Sequence, residues 1–144
     1  MVRREAVARS EPHARVLLCE GEKSTAEGLE KLLRTRGHEV LVCHDGPSSI
    51  SQAKKWRPTA AVIDIALPGI TGYAVAQHLR GLFGSDVLLI AITAHDAPAD
   101  IEMARYAGFN WHFASTARLS HILDVLDNPK RKPRGRRDGV RLNS

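Results

Sequence analysis

A carboxylate, Asp64, stands directly after the apolar run Ala61-Val62-Ile63, an acid and a glycine, Glu20-Gly21, follow the run Val16–Cys19, and hydroxyls at Thr93 and Ser115 lie just beyond two further apolar runs. Polar groups at the ends of apolar runs are where a sheet-based fold exposes reactive or ligand-binding side chains. Asp64 is the most pointed of these. It reads either as such a group or, on position alone, as the cap of a following turn or helix. Other chemistries find no residues here. Asp64-Ile65-Ala66 lacks the second acid that phosphatase work would use, and no glycine-rich loop is present to cradle a phosphate. Cys19 and Cys43 have neither CxxC spacing nor a histidine cluster for zinc, and both read as buried thiols.

The elements that would position these residues alternate short apolar runs with amphipathic segments, the pattern of βα units feeding a parallel sheet. Val16–Cys19 is followed by Ser24-Thr25-Ala26-Glu27, a capping-box pattern, then by Leu29, Leu32 and Leu33 on one face and a stop at Gly37. Glu39–Cys43 leads through Asp45-Gly46 to Pro47 at the start of a helix ending near Trp56. Ala60–Asp64 precedes a helix from about Gly72 with Val75, Leu79 and Leu82 on one side. Val87–Ile92 is apolar throughout, as in a strand covered on both faces. Pro98 opens the next helix, with Ile101 and Ala104 inward and Gly108 closing it. Phe109–Phe113 is the last strand, and Leu119, Ile122, Leu123 and Leu126 mark the last helix. Five units of this kind predict a (βα)5 doubly wound parallel sheet with strand order 2-1-3-4-5, whose switch point gathers Cys19 to Gly21, Asp64 to Ala66, Thr93 and Ser115 at one edge.

With 144 residues, 43% hydrophobic and 26% charged, the chain has globular composition and room for one domain. Its net charge of +5 is unevenly spread: Pro129–Ser144 holds seven bases and one acid, a local charge of +6 that leaves the rest at −1. Residues 1–13 are expected to be a disordered arm, 14–127 the folded domain, and 128–144 a basic disordered tail that does not pack on it. The arm carries Arg3, Arg4 and Arg9 without the apolar stretch of a secretory signal, and no run spans a bilayer, so a cytoplasmic protein without membrane association is expected. Nucleic-acid contact is expected only nonspecifically, through the tail.

The segment Val62-Ile63-Asp64-Ile65-Ala66-Leu67-Pro68-Gly69-Ile70-Thr71-Gly72-Tyr73 resembles the phosphoacceptor segment of response-regulator receiver domains. Gly37-His38-Glu39-Val40, His44-Asp45-Gly46-Pro47, Ala91-Ile92-Thr93-Ala94 and Ala107-Gly108-Phe109 extend the similarity over roughly Arg15 to Leu126. The resemblance implies a flavodoxin-like fold, a phosphoacceptor at Asp64, and a hydroxyl at Thr93 that contacts the phosphoryl group and acts as a switch. It implies Mg²⁺ held by an acidic pair at the first strand, by Asp64 and by the backbone carbonyl of Ala66. The implied partners are a histidine kinase or phosphotransfer protein, with a downstream protein on the face of the fourth helix, fifth strand and fifth helix.

Two positions depart from that pattern. The acidic pair aligns with Glu20-Gly21, so one carboxylate is gone, and the lysine of the fifth strand is replaced by Ser115. Glu22, past the usual position, reads either as an acid reaching inward in its place or, more simply, as a solvated loop acid. His112 stands at the family's aromatic switch position, either as a swinging switch residue with a pH-dependent charge or as a partly exposed strand histidine without special role. A carboxylate attacking a phosphoryl group sets negative charge against negative charge, and both departures remove groups that would relieve it, so any Mg²⁺ binding should be weak. Two functions follow: a phosphoacceptor with an impaired metal and lysine site, or a phosphorylation-independent pseudo-receiver acting as a protein–protein interaction module. Neither is an enzyme in its own right.

Overall fold

A computed structural model describes residues 14–94, 97–114, 119–129 and 139–143. Five parallel strands, β1 (Arg15–Cys19), β2 (Glu39–Cys43), β3 (Ala60–Asp64), β4 (Leu88–Thr93) and β5 (Trp111–Ala114), form a sheet with order β2-β1-β3-β4-β5. Five helices connect and follow them: α1 (Lys23–Thr35), α2 (Gly46–Trp56), α3 (Gly72–Phe83), α4 (Pro98–Ala107) and α5 (Leu119–Asp127). The (βα)5 order expected from the sequence is therefore present. A sixth strand, β6 (Val140–Arg141), runs antiparallel along the outer side of β5.

Alternation along the strands splits the core in two. Leu17, Cys19, Ala61, Ile63, Leu89 and Ala91 face the side built with Val75 and Leu79 of α3 and Ala104 of α4. Val16, Leu18, Val62, Ile90, Trp111 and Phe113 face the side built with Leu29 and Leu33 of α1 and Ile122 and Leu126 of α5. The Trp111 and Phe113 rings stack with centroids 5.9 Å apart, a contact worth about 1 kcal/mol beyond the burial itself. Arg80 ties α3 to the segments that enter β4 and β5, donating to the carbonyls of Gly84 (2.7 Å), Val87 (2.7 Å) and Gly108 (3.1 Å) and to Asn110 Oδ1 (2.9 Å).

Several local expectations are corrected. The cap of α1 is Glu22, not the Ser24–Glu27 box: its carboxylate accepts the Thr25 N–H at 2.8 Å and the Ser24 hydroxyl at 2.6 Å. An acid one residue before the helix reaches the first-turn donors sooner than a serine already inside it. Pro47 is the second helical residue of α2, after Gly46, with Asp45 as the cap. The fifth strand begins two residues later than expected and runs to Ala114, because Phe109 and Asn110 still belong to the turn that Gly108 opens (φ +103°). Leu32 and Leu82 lie at the margins of their helix faces and are exposed. Cys19 and Cys43 are free, buried thiols, as expected, and burial pushes the Cys19 thiol up to about 12.

The largest correction concerns the tail. Residues 139–143 pack on the domain, contrary to the expectation for Pro129–Ser144: Val140 and Arg141 pair with β5, and Leu142 is buried in the α3–α4 core. Charge density argues for a solvated tail, yet six of the seven bases lie in 130–137, and Val140 and Leu142 flank the seventh, Arg141, as apolar anchors. Residues 1–13 and 130–138 lie outside the described residues.

Candidate functional site

Asp64 is the last residue of β3, held there from both directions. Ile65 N–H donates to the Ile92 carbonyl of β4 at 3.1 Å, and Gly72 N–H donates to the Ile65 carbonyl at 2.8 Å. The start of α3 thus presses on the strand end. A Cβ on Gly72 would come 2.6 Å from the Asp64 carbonyl oxygen and 2.7 Å from Ile65 Cα, so only glycine allows this approach. Asp64 is half-buried, and its Oδ1 accepts the Ala66 N–H at 3.0 Å.

Glu20 follows β1, which neighbours β3 in the sheet. Its N–H donates to the Cys43 carbonyl at 3.0 Å, its carbonyl accepts from His44 Nδ1 at 2.8 Å, and its Oε2 accepts the Glu22 N–H at 3.0 Å. Burial raises the Glu20 carboxyl above the usual carboxylate range, opposed by the Glu22 N–H and reinforced by the negative charge and hydrogen bond of Asp64. The two carboxyls therefore face each other across one cavity of about 360 Å³, which Ala66 and Thr93 also line. Thr93, at the end of β4, is buried.

The structure brings Glu20, Asp64, Ala66 and Thr93 together, as the sequence spacing required. His112 it does not: the residue lies in the interior of β5, 2% exposed, opposite Ala91 of β4 and Val140 of β6, and it is not among the residues lining the cavity. The expectation of a half-exposed histidine is corrected, because β6 covers the edge that β5 would otherwise present. Ser115 lies outside the described residues.

Gly21 contributes no carboxylate, and its vacant side-chain position is crowded by Pro68, whose Cδ would lie 3.0 Å from a Cβ there. Glu22 is no substitute. Its carboxylate caps α1, and the Ser24 and Thr25 donors hold it down to about 2. The sequence reading missed the apolar wall of the cavity, formed by Leu29 of α1, Ile92, Ala114 and Ile122 of α5. Nothing in their spacing distinguishes those residues from core; only the juxtaposition of α1 and α5 does.

For a divalent cation the donor set is hard oxygen: Glu20, Asp64 and the Ala66 carbonyl. It fits Mg²⁺ in kind and is thin in number, since no group of three or more acidic, histidine or cysteine ligands occurs among the described residues.

A doubly wound sheet with a carboxylate at the mouth of its third strand, a second acid beside it and a hydroxyl on the fourth strand gathers its polar groups at the switch point, where sheets of this topology place their reactive side chains. Residues 16–127 match the family model of the response regulator receiver domain, and the chain belongs to that family, the receiver component of two-component signalling. Response regulator MprA of Mycobacterium tuberculosis is 28% identical over 109 residues, 76% of this chain and 47% of that protein. The chain thus spans about half the length of such relatives. A CheY-like receiver domain protein from Methanospirillum hungatei superposes with a TM-score of 0.76 at 15% identity, covering 82% of this chain and 94% of that one. A Burkholderia pseudomallei response regulator, solved with a phosphorylated aspartic acid, a calcium ion and citrate, gives 0.73 at 21% identity over 79% and 66%. At these identities the superpositions speak for the fold. No described helix is long and apolar enough to cross a membrane.

Proposed function

We propose that this receiver accepts a phosphoryl group on Asp64 from the phosphohistidine of a histidine kinase or phosphotransfer protein, through a site impaired on its β1 flank. A carboxylate oxygen of Asp64 forms the new P–O bond while the P–N bond breaks, and the departing imidazole nitrogen keeps the electron pair and takes up a proton. The observation that carries this reading is the meeting of Asp64, Glu20, Ala66 and Thr93 in one cavity at the sheet edge. The phosphorylated aspartic acid of the Burkholderia relative supports it by analogy.

Thr93 is proposed to hydrogen-bond the phosphoryl oxygens and pass the change to the segment after β4. Glu20, Asp64 and the Ala66 carbonyl would hold Mg²⁺ weakly, water completing its shell. When bound, that ion would neutralise charge on the transferring group. Ser115 replaces a cation with at most one hydrogen-bond donor. The proteins to be served are the kinase or phosphotransfer protein and a downstream partner on the α4–β5–α5 face, in the cytoplasm.

A second reading, a pseudo-receiver that works by protein contact alone, is favoured by one observation: where the acidic pair would have its second member stands Gly21, and Pro68 Cδ lies 3.0 Å from where a Cβ there would sit, so an acid would be crowded. One experiment separates the two. The purified protein is given a small-molecule phosphodonor with Mg²⁺, and intact mass is read before and after acid and base treatment. A single phosphate, stable to acid, labile to base and lost in Asp64→Asn, supports the phosphoacceptor; no incorporation supports the pseudo-receiver.

A further inference from the structure

Residues 139–143 make more specific contacts than a passing tail would. Trp111 pairs with Arg141 and His112 with Val140, and Leu142 N–H donates to the Asn110 carbonyl at 2.8 Å. The Leu142 side chain is buried with Ala104, Ala107 and Phe109. Asn143 Nδ2 donates to the carbonyls of Phe109 at 2.5 Å and Arg105 at 3.2 Å, the second at the C-terminal end of α4, where it also accepts the Gly108 N–H. Arg105 Nη1 donates back to the Leu142 carbonyl at 2.9 Å.

Gly139 sets the entry to this strand. It lies flat on Phe113 with φ +87°, and a Cβ there would come within 2.6 to 2.8 Å of three atoms of that ring. The edge of β5 therefore reads a pattern: bare backbone over Phe113, a β-branched residue opposite His112, a leucine two residues later, and a side-chain amide at the end of α4. Without an occupant the edge would present a row of unpaired backbone groups, the arrangement that accepts an added strand. The occupant is short, two ladder residues and one buried leucine, and short peripheral strands open at low free-energy cost.

We propose that the edge of β5 is a strand-accepting site filled in cis by residues 139–143, a displaceable strap that competes with any extended segment of the pattern Gly-(β-branched)-x-Leu-Asn. While seated, the strap closes β5 and keeps His112 inside. Displacing it opens the β5 part of the α4–β5–α5 face. The inference does not depend on phosphorylation of Asp64, so failure of either leaves the other standing.

The test uses a fluorescent peptide of residues 138–144 and two chains, the full protein and one ending at Asp138. Saturable binding is expected to the shortened chain, with at least tenfold weaker binding to the full chain, whose own strap competes at the effective concentration of a tethered segment. A Leu142→Asp peptide should not bind. Equal binding to both chains, or none to a shortened chain that retains the circular dichroism of the full one, overturns the proposal. Should the shortened chain fail to fold, the full-length Gly139→Val protein, in which the strap is forced off Phe113, takes its place under the same criteria.

Discussion

The two flanks of the Asp64 cavity differ in how they are built. On the β3–β4 flank every part has a partner that fixes it: Asp64 is held to the Ala66 N–H, Gly72 lets α3 press on the strand end, and Thr93 is buried at the end of β4. On the β1 flank a single acid, Glu20, is held by the Glu22 N–H, and the next position is a glycine crowded by Pro68. Groups that would touch a phosphoryl oxygen directly are kept and rigidly placed. Those that would supply a cation are reduced. A site can thus preserve its reacting atoms while losing the electrostatics that make them react quickly.

The sharpest way to break this comparison is Asp64→Asn. If the β3–β4 flank carries the chemistry, covalent phosphate should fall to nothing, in this sequence and in any variant with a repaired β1 flank, as read by intact mass. Residual phosphate on another residue would show that the reacting group has been misplaced.

Gly72→Ala comes next, and it attacks the same flank through its backbone. The added methyl meets the Asp64 carbonyl at 2.6 Å, so α3 must shift. Overpacking of this kind costs about 1–3 kcal/mol. Urea unfolding should show that loss together with slower phosphorylation, whereas Gly81→Ala in the same helix, where a Cβ meets nothing within 4 Å, should cost nothing or stabilise.

Repairing the weak flank should have a smaller, opposite effect. Gly21→Asp adds a direct ligand and should tighten Mg²⁺ binding by roughly tenfold, about 1.4 kcal/mol, measured by titration. Part of that gain is lost to Pro68, so Gly21→Asp with Pro68→Ala should exceed Gly21→Asp alone. Adding Ser115→Lys should raise phosphorylation further. If Gly21→Asp changes nothing, the β1 flank is not where the site is impaired, and Glu22, committed to capping α1, cannot be the compensating ligand.

The same contrast explains what was legible in the sequence. Strand order, the helix starts at Pro98 and Gly72 and the gathering of Glu20, Asp64, Ala66 and Thr93 follow from apolar runs and strand ends, which are local signals. The crowding of Gly21 by Pro68 and the burial of His112 were hidden for another reason: each depends on a residue placed by the fold rather than by its neighbours in sequence, whereas the Glu22 cap is local and was masked by the competing Ser24–Glu27 pattern. Pro68 reaches Gly21 only because the β3–α3 loop folds over the end of β1, and His112 is covered by a strand nearly thirty residues on. The tail misled because its seven bases outweigh in composition the two apolar side chains that anchor it.

The smallest expected effect lies in Glu20 and is read from pH. Its carboxyl titrates above the ordinary glutamate value in the folded chain, first because it is buried and then because Asp64 faces it. In the unfolded chain neither influence remains. Between the ordinary value and the raised one the folded protein therefore binds more protons than the unfolded, and the slope of stability against pH is negative in that window. Stability contributed by the protonated form is fully present below the unfolded value and is lost as pH rises through the folded one. Glu20→Gln removes the titration and keeps an acceptor for the Glu22 N–H. Urea midpoints taken across this range in chelator should decline with pH in the parent and decline less in the variant, with the variant the more stable at neutral pH. Asp64→Asn should flatten the same decline in part, because it removes only the opposing charge and leaves the burial. Parallel curves for parent and Glu20→Gln would mean that the acid on the β1 flank is better solvated than its place in the cavity implies, and that the two flanks differ less than their geometry says.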